Sequence, residues 1–144
     1  MPNKILVALD NSSYADKVAN YALDVAAKMG GILLGLGVIE GDYLQECSED
    51  DQFACMTRDF WRGSFKDTLN KCHKLAEERQ QYFKIYEAEG NAAEEILKFA
   101  EKEEIDLIIL GHLGKGAAAG GGFPIGSVAQ KVSAFSKCPV LIVK

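Results

Sequence analysis

The sequence predicts an α/β fold, with one domain built on a five-stranded, mostly parallel sheet that carries helices on both faces. Apolar runs typical of strands alternate with amphipathic stretches along the 144 residues, the pattern of repeated strand-helix-strand units. Several of these runs are almost continuously apolar, as in strands buried on both faces. No internal repeat or long linker divides the chain, so residues 1–144 are expected to form one domain.

The first half of the chain predicts two strands and two helices. Residues 4–9, "KILVAL", form the first strand, and a helix follows from Tyr14 to Gly30, whose glycine suits a left-handed cap. Residues 32–40, "ILLGLGVIE", form the second strand, and a helix from about Trp61 to Gln80 follows a polar segment. The predicted buried stripes of the two helices are Val18, Tyr21, Ala22, Val25 and Met29, and Trp61, Phe65, Leu69, Cys72 and Ala76.

The second half predicts three strands and two helices. "YFKIYEAEG" alternates as a third strand and ends at Gly90, and the next helix starts at Asn91 with Glu94 in capping-box spacing. "IDLIILG" is the fourth strand. A glycine-rich loop leads to a last helix that carries Val128, Val132 and Phe135, and "PVLIVK" closes the chain as the fifth strand.

Residues 41–60 are predicted to be an acidic excursion loop without a clear helical or strand period. The segment and the residues that flank it are rich in acidic and aromatic side chains. The acidic residues are Glu40, Asp42, Glu46, Glu49, Asp50, Asp51 and Asp59, and the aromatic residues are Tyr43, Phe53, Phe60 and Trp61. Two interpretations stay open: a lid or protein-docking surface near the ligand crevice, or a solvated insertion anchored by its aromatics. Cys47 and Cys55 could close a disulfide under oxidising conditions.

Composition excludes several classes of function. Sixteen Lys and Arg against 21 Asp and Glu give a net charge of -5 without a dense basic stripe, so nucleic acid is not an expected partner. The four cysteines contain no C-x-x-C pair and the two histidines are far apart, which argues against a structural zinc site. No apolar run approaches the ~20 residues of a membrane span, and the start lacks signal-peptide features, so a cytoplasmic protein is expected.

The candidate binding site lies at the carboxyl ends of the first and fourth strands. Ligands of open parallel sheets bind beyond these ends, where the strand order reverses. Asp10 follows the first strand and Gly111 ends the fourth, so both residues face one crevice if the two strands are neighbours.

The loop "GHLGKGAAAGGGFPIGS", residues 111–127, supplies the second part of this site. Gly126 and Ser127 open the last helix, where unpaired amides and the helix dipole suit a phosphate, with the Ser127 hydroxyl as a further donor. Gly111 and Gly114 would let backbone pass close to a ribose or phosphate. From the residues alone, a nucleotide site and a surface loop with an ordinary helix start remain equal alternatives. No nucleophile with a base, and no carboxylate pair, stands out, so no catalytic residue is predicted.

The segments "ILVALDNS", "EGNAAEEILKFAEKEEIDLIILG" and "GHLG...GSVAQKVSAFSKCPVLIVK" together resemble the universal stress protein family over nearly the whole chain. The resemblance implies a Rossmann-like domain, similar to the adenine nucleotide alpha hydrolases, with strand order 3-2-1-4-5. It also implies a homodimer, often formed through the last strand. ATP-binding members carry G-x2-G-x9-G-[ST], whereas eleven residues separate Gly114 from Gly126 here.

Carried onto this chain, the resemblance implies ATP as ligand, with Mg²⁺ or Mn²⁺ on its phosphates. Because no positioned base is apparent in the sequence, any hydrolysis is expected to be slow. The implied contacts with adenosine, ribose and phosphates are Ala8, Leu9, Asp10, Val38, Gly111, His112 (through its backbone), Gly114, Gly126, Ser127 and Val128. The resulting hypothesis is a dimeric, nucleotide-linked stress-response regulator. The alternative is a protein-interaction module of the same fold that binds no nucleotide, with the acidic segment as a surface for a protein partner.

Overall fold

The computed structural model describes residues 3–10, 12, 14–40, 52–112 and 125–144, and it confirms the single α/β domain. Strands and helices alternate along the chain. In chain order they are β1 (Lys4–Leu9), α1 (Ala15–Met29), β2 (Ile32–Ile39), α2 (Gln52–Glu78), β3 (Phe83–Glu89), α3 (Ala92–Lys102), β4 (Leu107–Gly111), α4 (Ser127–Phe135) and β5 (Val140–Val143).

The five strands form one parallel sheet in the order β3-β2-β1-β4-β5, as the family resemblance implies. β1 is the central strand and pairs with β2 on one side and β4 on the other. The order of the strands therefore reverses between β1 and β4, which is where such sheets open a crevice at their carboxyl edge.

Two apolar cores lie on opposite faces of the sheet. Alternate residues of β1 enter different cores, because successive side chains of a strand point to opposite faces. Ile5, Val7 and Leu9 pack with α1 and α2, whereas Leu6 and Ala8 pack with α3 and α4. The described core contains no buried charged side chain, so apolar burial on both faces supplies most of the stabilisation.

Gly35 and Gly37 of β2 are required by packing. A Cβ at Gly35 would lie 2.8 Å from the Phe83 ring, and a Cβ at Gly37 would lie 2.5 Å from the Phe65 ring. Together with Glu40 these glycines nearly match a dinucleotide-binding fingerprint, but they occupy a strand interior and make room for two core aromatics. The near match is therefore explained by packing in the core that α1 and α2 cover.

Helix α1 ends as predicted but buries less of its stripe. Gly30 adopts a left-handed conformation with φ of 66°, and its amide bonds the Ala26 carbonyl. Tyr21 and Met29, which the periodicity places on the buried face, are exposed. The helix buries smaller residues instead, among them Ala22 and Ala26.

Helix α2 corrects the boundary of the acidic excursion. The helix begins at Gln52 and not near Trp61, so residues 52–60 of the expected loop are helical. Residues 41–51 lie outside the described part of the chain, and so does Cys47 of the expected disulfide pair. Buried Phe65, Leu69 and Cys72 confirm the predicted core face of the helix.

Helix α3 begins with the predicted cap in part. The Asn91 side chain accepts a hydrogen bond of 3.1 Å from the Glu94 amide. The Glu94 carboxylate does not complete the capping box; it pairs with Lys131 of α4 at 3.6 Å and so connects the two helices on this face.

The amino edge of the sheet is closed by Asp106, which precedes β4. Its Oδ2 accepts the amides of Asn3 at 2.9 Å and Lys4 at 3.0 Å. These hydrogen bonds, first the one from Lys4, lower the pKa of the Asp106 carboxyl below its usual value.

Among the described helices, none combines the length and apolar character needed to cross a membrane.

Candidate functional site

The carboxyl ends of β1, β2 and β4 meet at the expected crevice. β1 pairs with β2 as far as Leu9 opposite Gly37, and with β4 through Val7 opposite Ile109. Continued along the chain, this register sets Asp10 level with Val38 on one side and His112 on the other. By this continuation, three of the predicted site residues fall at the same edge of the sheet.

Helix α4 starts at the same edge. The Gly126 amide donates a hydrogen bond of 2.7 Å to the His112 carbonyl, which ties the beginning of the helix to the end of β4. Gly126 is extended, with φ of -65° and ψ of 159°. The helix therefore begins directly beside the carboxyl ends of the strands, and Ser127 is exposed at its first position.

The amino end of α4 differs from that of α3 in its charge. Helix α3 has the Asn91 cap and acidic residues in its first turn, whereas α4 has no side-chain cap bond and no acidic residue there. The first amides of a helix have no partner within the helix, and the dipole adds positive potential to them. Within the described residues, the α4 terminus is thus an anion-accepting end that no carboxylate neutralises.

Apolar residues of the site divide between the two faces of the sheet. Ala8, Val38 and Val128 are half-buried and pack against the same core, the one covered by α3 and α4. Leu9 is 4% exposed and lies in the opposite core with α1 and α2. The side chain of Leu9 is therefore a core side chain, and only its backbone faces the crevice edge.

Asp10 organises the turn after β1. Its Oδ1 accepts the Ser12 amide at 3.0 Å, and the Ser12 oxygen atoms accept the amides of Tyr14 and Ala15 at 3.3 Å. The second carboxylate oxygen has no hydrogen bond within the described residues. Asp10 is thus held by the turn while one of its oxygens stays available.

His112 is the most connected of the predicted residues. Its amide donates to the Val143 carbonyl at 2.9 Å, and its Nδ1 lies 3.2 Å from the same oxygen. Because a carbonyl oxygen only accepts, Nδ1 carries a hydrogen in this arrangement. The Tyr14 ring packs edge-on against the imidazole, with 5.9 Å between centroids.

Sequence reasoning missed Tyr14. It precedes the first residue of α1, and a helix start directly after a strand was the only signal that it borders the site. Nothing in the sequence joins it to His112, which follows β4. The predicted Gly114 lies outside the described residues. In the described part, no three His, Cys, Asp or Glu side chains form a metal-binding group.

The whole chain, residues 1–144, matches the model of the universal stress protein family. A universal stress protein of Thermus aquaticus is 33% identical over 147 residues, which span 97% of each chain. The universal stress protein YxiE of Bacillus subtilis is 31% identical over 158 residues, and the match covers both chains fully.

Solved structures of similar proteins share the fold. The universal stress protein UspA from Lactobacillus plantarum superposes with a TM-score of 0.83 at 23% identity and covers 99% of this chain and 97% of its own. A universal stress protein in complex with cAMP gives a TM-score of 0.70 at 19% identity, covering 99% and 97%. One from Archaeoglobus fulgidus in complex with dAMP gives 0.68 at 19%, covering 99% and 98%.

Proposed function

Because the chain belongs to the universal stress protein family, we propose that it binds ATP at the carboxyl ends of β1 and β4 and acts as a homodimeric, nucleotide-linked stress-response regulator. The observation that carries the proposal is the amino end of α4. This end is anchored to His112 through Gly126 and lies at the reversal point of the sheet, and within the described residues it has no side-chain cap and no acidic first turn. Complexes of related folds with cAMP and dAMP support an adenine nucleotide as the ligand class.

The proposed contacts follow the chemistry of the ligand. Half-buried Ala8 and Val38 offer apolar contacts to adenine, and the free oxygen of Asp10 accepts from a ribose hydroxyl. Backbone at Leu9, Gly111 and His112 borders the ribose and phosphates.

The phosphates are assigned to the start of α4. The amides of Ser127 and Val128 and the Ser127 hydroxyl are the donors, and Gly126 leaves room for the phosphate chain. Gly114, from the segment outside the described residues, completes the proposed cradle. These donors neutralise only part of the charge of a triphosphate, so Mg²⁺ or Mn²⁺ on the phosphate oxygens is included in the proposal.

Hydrolysis of bound ATP is proposed to be slow. His112 donates its Nδ1 hydrogen to the Val143 carbonyl, so Nε2 is the nitrogen of the neutral ring that could accept a proton. An effective general base is usually paired with a carboxylate that stabilises the protonated ring, and within the described residues no carboxylate is hydrogen-bonded to this imidazole. This is the basis on which slow turnover of the bound nucleotide is proposed.

Purification followed by denaturation and analysis of released nucleotide tests the proposal, together with calorimetric titration of Mg-ATP. Ser127→Ala should weaken ATP binding several-fold because it removes one donor to phosphate. Gly126→Asp should abolish binding because a carboxylate at this position caps the amides and repels phosphate. Ser133→Ala is the matched control, since the Ser133 hydroxyl bonds the Ala129 carbonyl on the same helix, away from its first turn.

Absence of released nucleotide, and no heat at millimolar ATP, would favour the second candidate function, a protein-interaction module. Helix α2 gives this candidate its support. Phe53, Met56 and Phe60 recur at helical spacing on its first half and are 81%, 71% and 68% exposed. Loss of a bound protein partner on Met56→Glu, with unchanged folding, would then be the expected result.

A further inference from the structure

We infer that His112 is a positioning residue for the proposed nucleotide: its imidazole fixes the end of β4 against β5, so that the His112 carbonyl keeps its hydrogen bond from the Gly126 amide and the first turn of α4 stays directed at the crevice. The inference rests on the proposed function, which assigns the phosphates to this turn. It differs from the backbone role that the family resemblance implies for His112, because it assigns a task to the side chain.

The hydrogen bonds of His112 join two elements, β5 and the start of α4, through one residue. On one side, its amide and Nδ1 both reach the Val143 carbonyl, at 2.9 and 3.2 Å. On the other side, its carbonyl accepts the Gly126 amide at 2.7 Å. The backbone bonds are open to any residue here. Only the Nδ1 bond depends on histidine. It restricts how far the His112 backbone can rotate, and therefore where its carbonyl, which accepts the Gly126 amide hydrogen bond, can point.

Tyr14 holds the same ring from a third element. Its ring meets the imidazole at an interplanar angle of 69°, in the edge-on geometry that aromatic pairs prefer. Tyr14 occupies the cap position of α1 without a side-chain cap bond of its own. The imidazole is therefore fixed both by the hydrogen bond that it donates to β5 and by a ring contact with the residue that precedes α1, as expected for a side chain that sets the geometry of its surroundings.

The competing role is direct contact between Nε2 and the ligand, and two substitutions separate the two roles. The amide nitrogen of asparagine lies as many bonds from Cβ as Nδ1, whereas that of glutamine lies as many bonds as Nε2. Positioning predicts that His112→Asn retains the bond to Val143 and restores function, and that His112→Gln does not. Direct contact predicts the reverse. His112→Leu removes both nitrogens at similar volume.

The test measures two quantities on the full chain: hydrogen exchange of the Gly126 amide without nucleotide, and the Kd for Mg-ATP. We expect His112→Leu and His112→Gln to speed Gly126 exchange and to weaken ATP binding, each about tenfold, which corresponds to about 1.4 kcal/mol. His112→Asn should keep both values within about threefold of the unsubstituted protein. Ser133→Ala serves as the control for general effects on α4.

The outcomes separate this inference from the proposed function. Gly126 exchange that is unchanged in His112→Leu overturns the inference, whatever the affinity. Faster exchange with unchanged ATP affinity overturns it as well, and so does rescue of affinity by glutamine in place of asparagine. If the unsubstituted protein binds no ATP, the proposed function fails and the inference falls with it; the exchange data then report only a structural clamp.

Discussion

Two glycines in the core of this protein are explained by the space that neighbouring aromatic rings occupy. Gly37 lies under the Phe65 ring, and Gly35 lies under the Phe83 ring. A sequence reader sees two glycines in an apolar run, which weakens a strand by propensity. The structure shows that bulky rings from α2 and β3 fill the missing side-chain positions, so the cost in strand propensity is offset by aromatic burial.

Gly37→Ala is expected to destabilise the fold by about 1–3 kcal/mol, because the new methyl group would enter the ring of Phe65, which is buried and cannot move away freely. Urea unfolding followed by circular dichroism measures the change. Gly63→Ala is the control: a Cβ there meets nothing within 4 Å, and alanine favours a helix interior by about 1 kcal/mol. Equal stabilities for the Gly37→Ala variant and the unsubstituted protein would contradict the packing explanation.

Cys72 is a single residue that is expected to make the stability of the fold depend on pH. The thiol is fully buried, and burial, with a smaller contribution from Asp16, raises its pKa from 9.0 to about 11. The unfolded chain loses this proton near pH 9, whereas the folded protein keeps it. Between pH 9 and 11 the unfolded state therefore binds fewer protons, and stability falls as pH rises.

We expect this group to remove up to about 3 kcal/mol of unfolding free energy between pH 9 and 11, and nothing below pH 9. Denaturant unfolding at intervals across this range measures the loss. Because the pH dependence of stability sums over every group that ionises, Cys72→Ala should be followed in parallel. The part of the pH dependence that disappears in this variant belongs to Cys72, and identical slopes for the two proteins would refute the assignment.

At the scale of elements, the sequence predicts those helices and strands that bury a regular face. Helices α1 and α3 and all five strands follow from apolar periodicity and from end signals such as Gly30 and Asn91. The start of α2 does not follow, because Phe53, Met56 and Phe60 of its first half are exposed. Periodicity reports contact with a core, so a helical segment whose described apolar side chains are exposed gives no such signal.

The first half of α2, where Phe53, Met56 and Phe60 are exposed, should therefore be the less stable part of this helix. Amides of residues 53–62 are expected to exchange at least about a hundredfold faster than those of residues 66–76, where Leu69, Cys72 and Ala76 bury the inner face. Helical turns gain most of their stability in water from burial of side chains in a core. Hydrogen exchange read by NMR or mass spectrometry checks this, and uniform protection along α2 would show that the first half is held by contacts of its own.

At the scale of the whole molecule, the sequence predicts the fold more completely than it predicts the site. Alternating strands and helices indicate a parallel sheet, and the family resemblance supplies the strand order that the structure confirms. The crevice needs both, because Asp10 and His112 become neighbours only through the pairing of β1 with β4. Contacts that depend on three-dimensional packing, such as Tyr14 against His112, carry no signature in the sequence.

The sheet leaves β5 as an edge strand, and the proposed homodimer would cover it. Val140, Leu141 and Ile142 are only half-buried, and Phe135 at the end of α4 is exposed. The carbonyls of Pro139 and Val143 bond to β4. By alternation, the backbone groups of Val140 and Ile142 point away from the sheet, where a second copy can pair with them.

Ile142→Pro tests this arrangement because proline removes an outward amide without removing a bond to β4. We expect the unsubstituted protein to sediment at about twice the monomer mass of 15.7 kDa, and the variant to sediment near the monomer mass with a retained cooperative unfolding transition. Leu141→Pro is the contrasting variant: its amide faces β4, so it should destabilise the fold itself. A monomeric unsubstituted protein, or an Ile142→Pro variant that stays dimeric, would exclude pairing through β5.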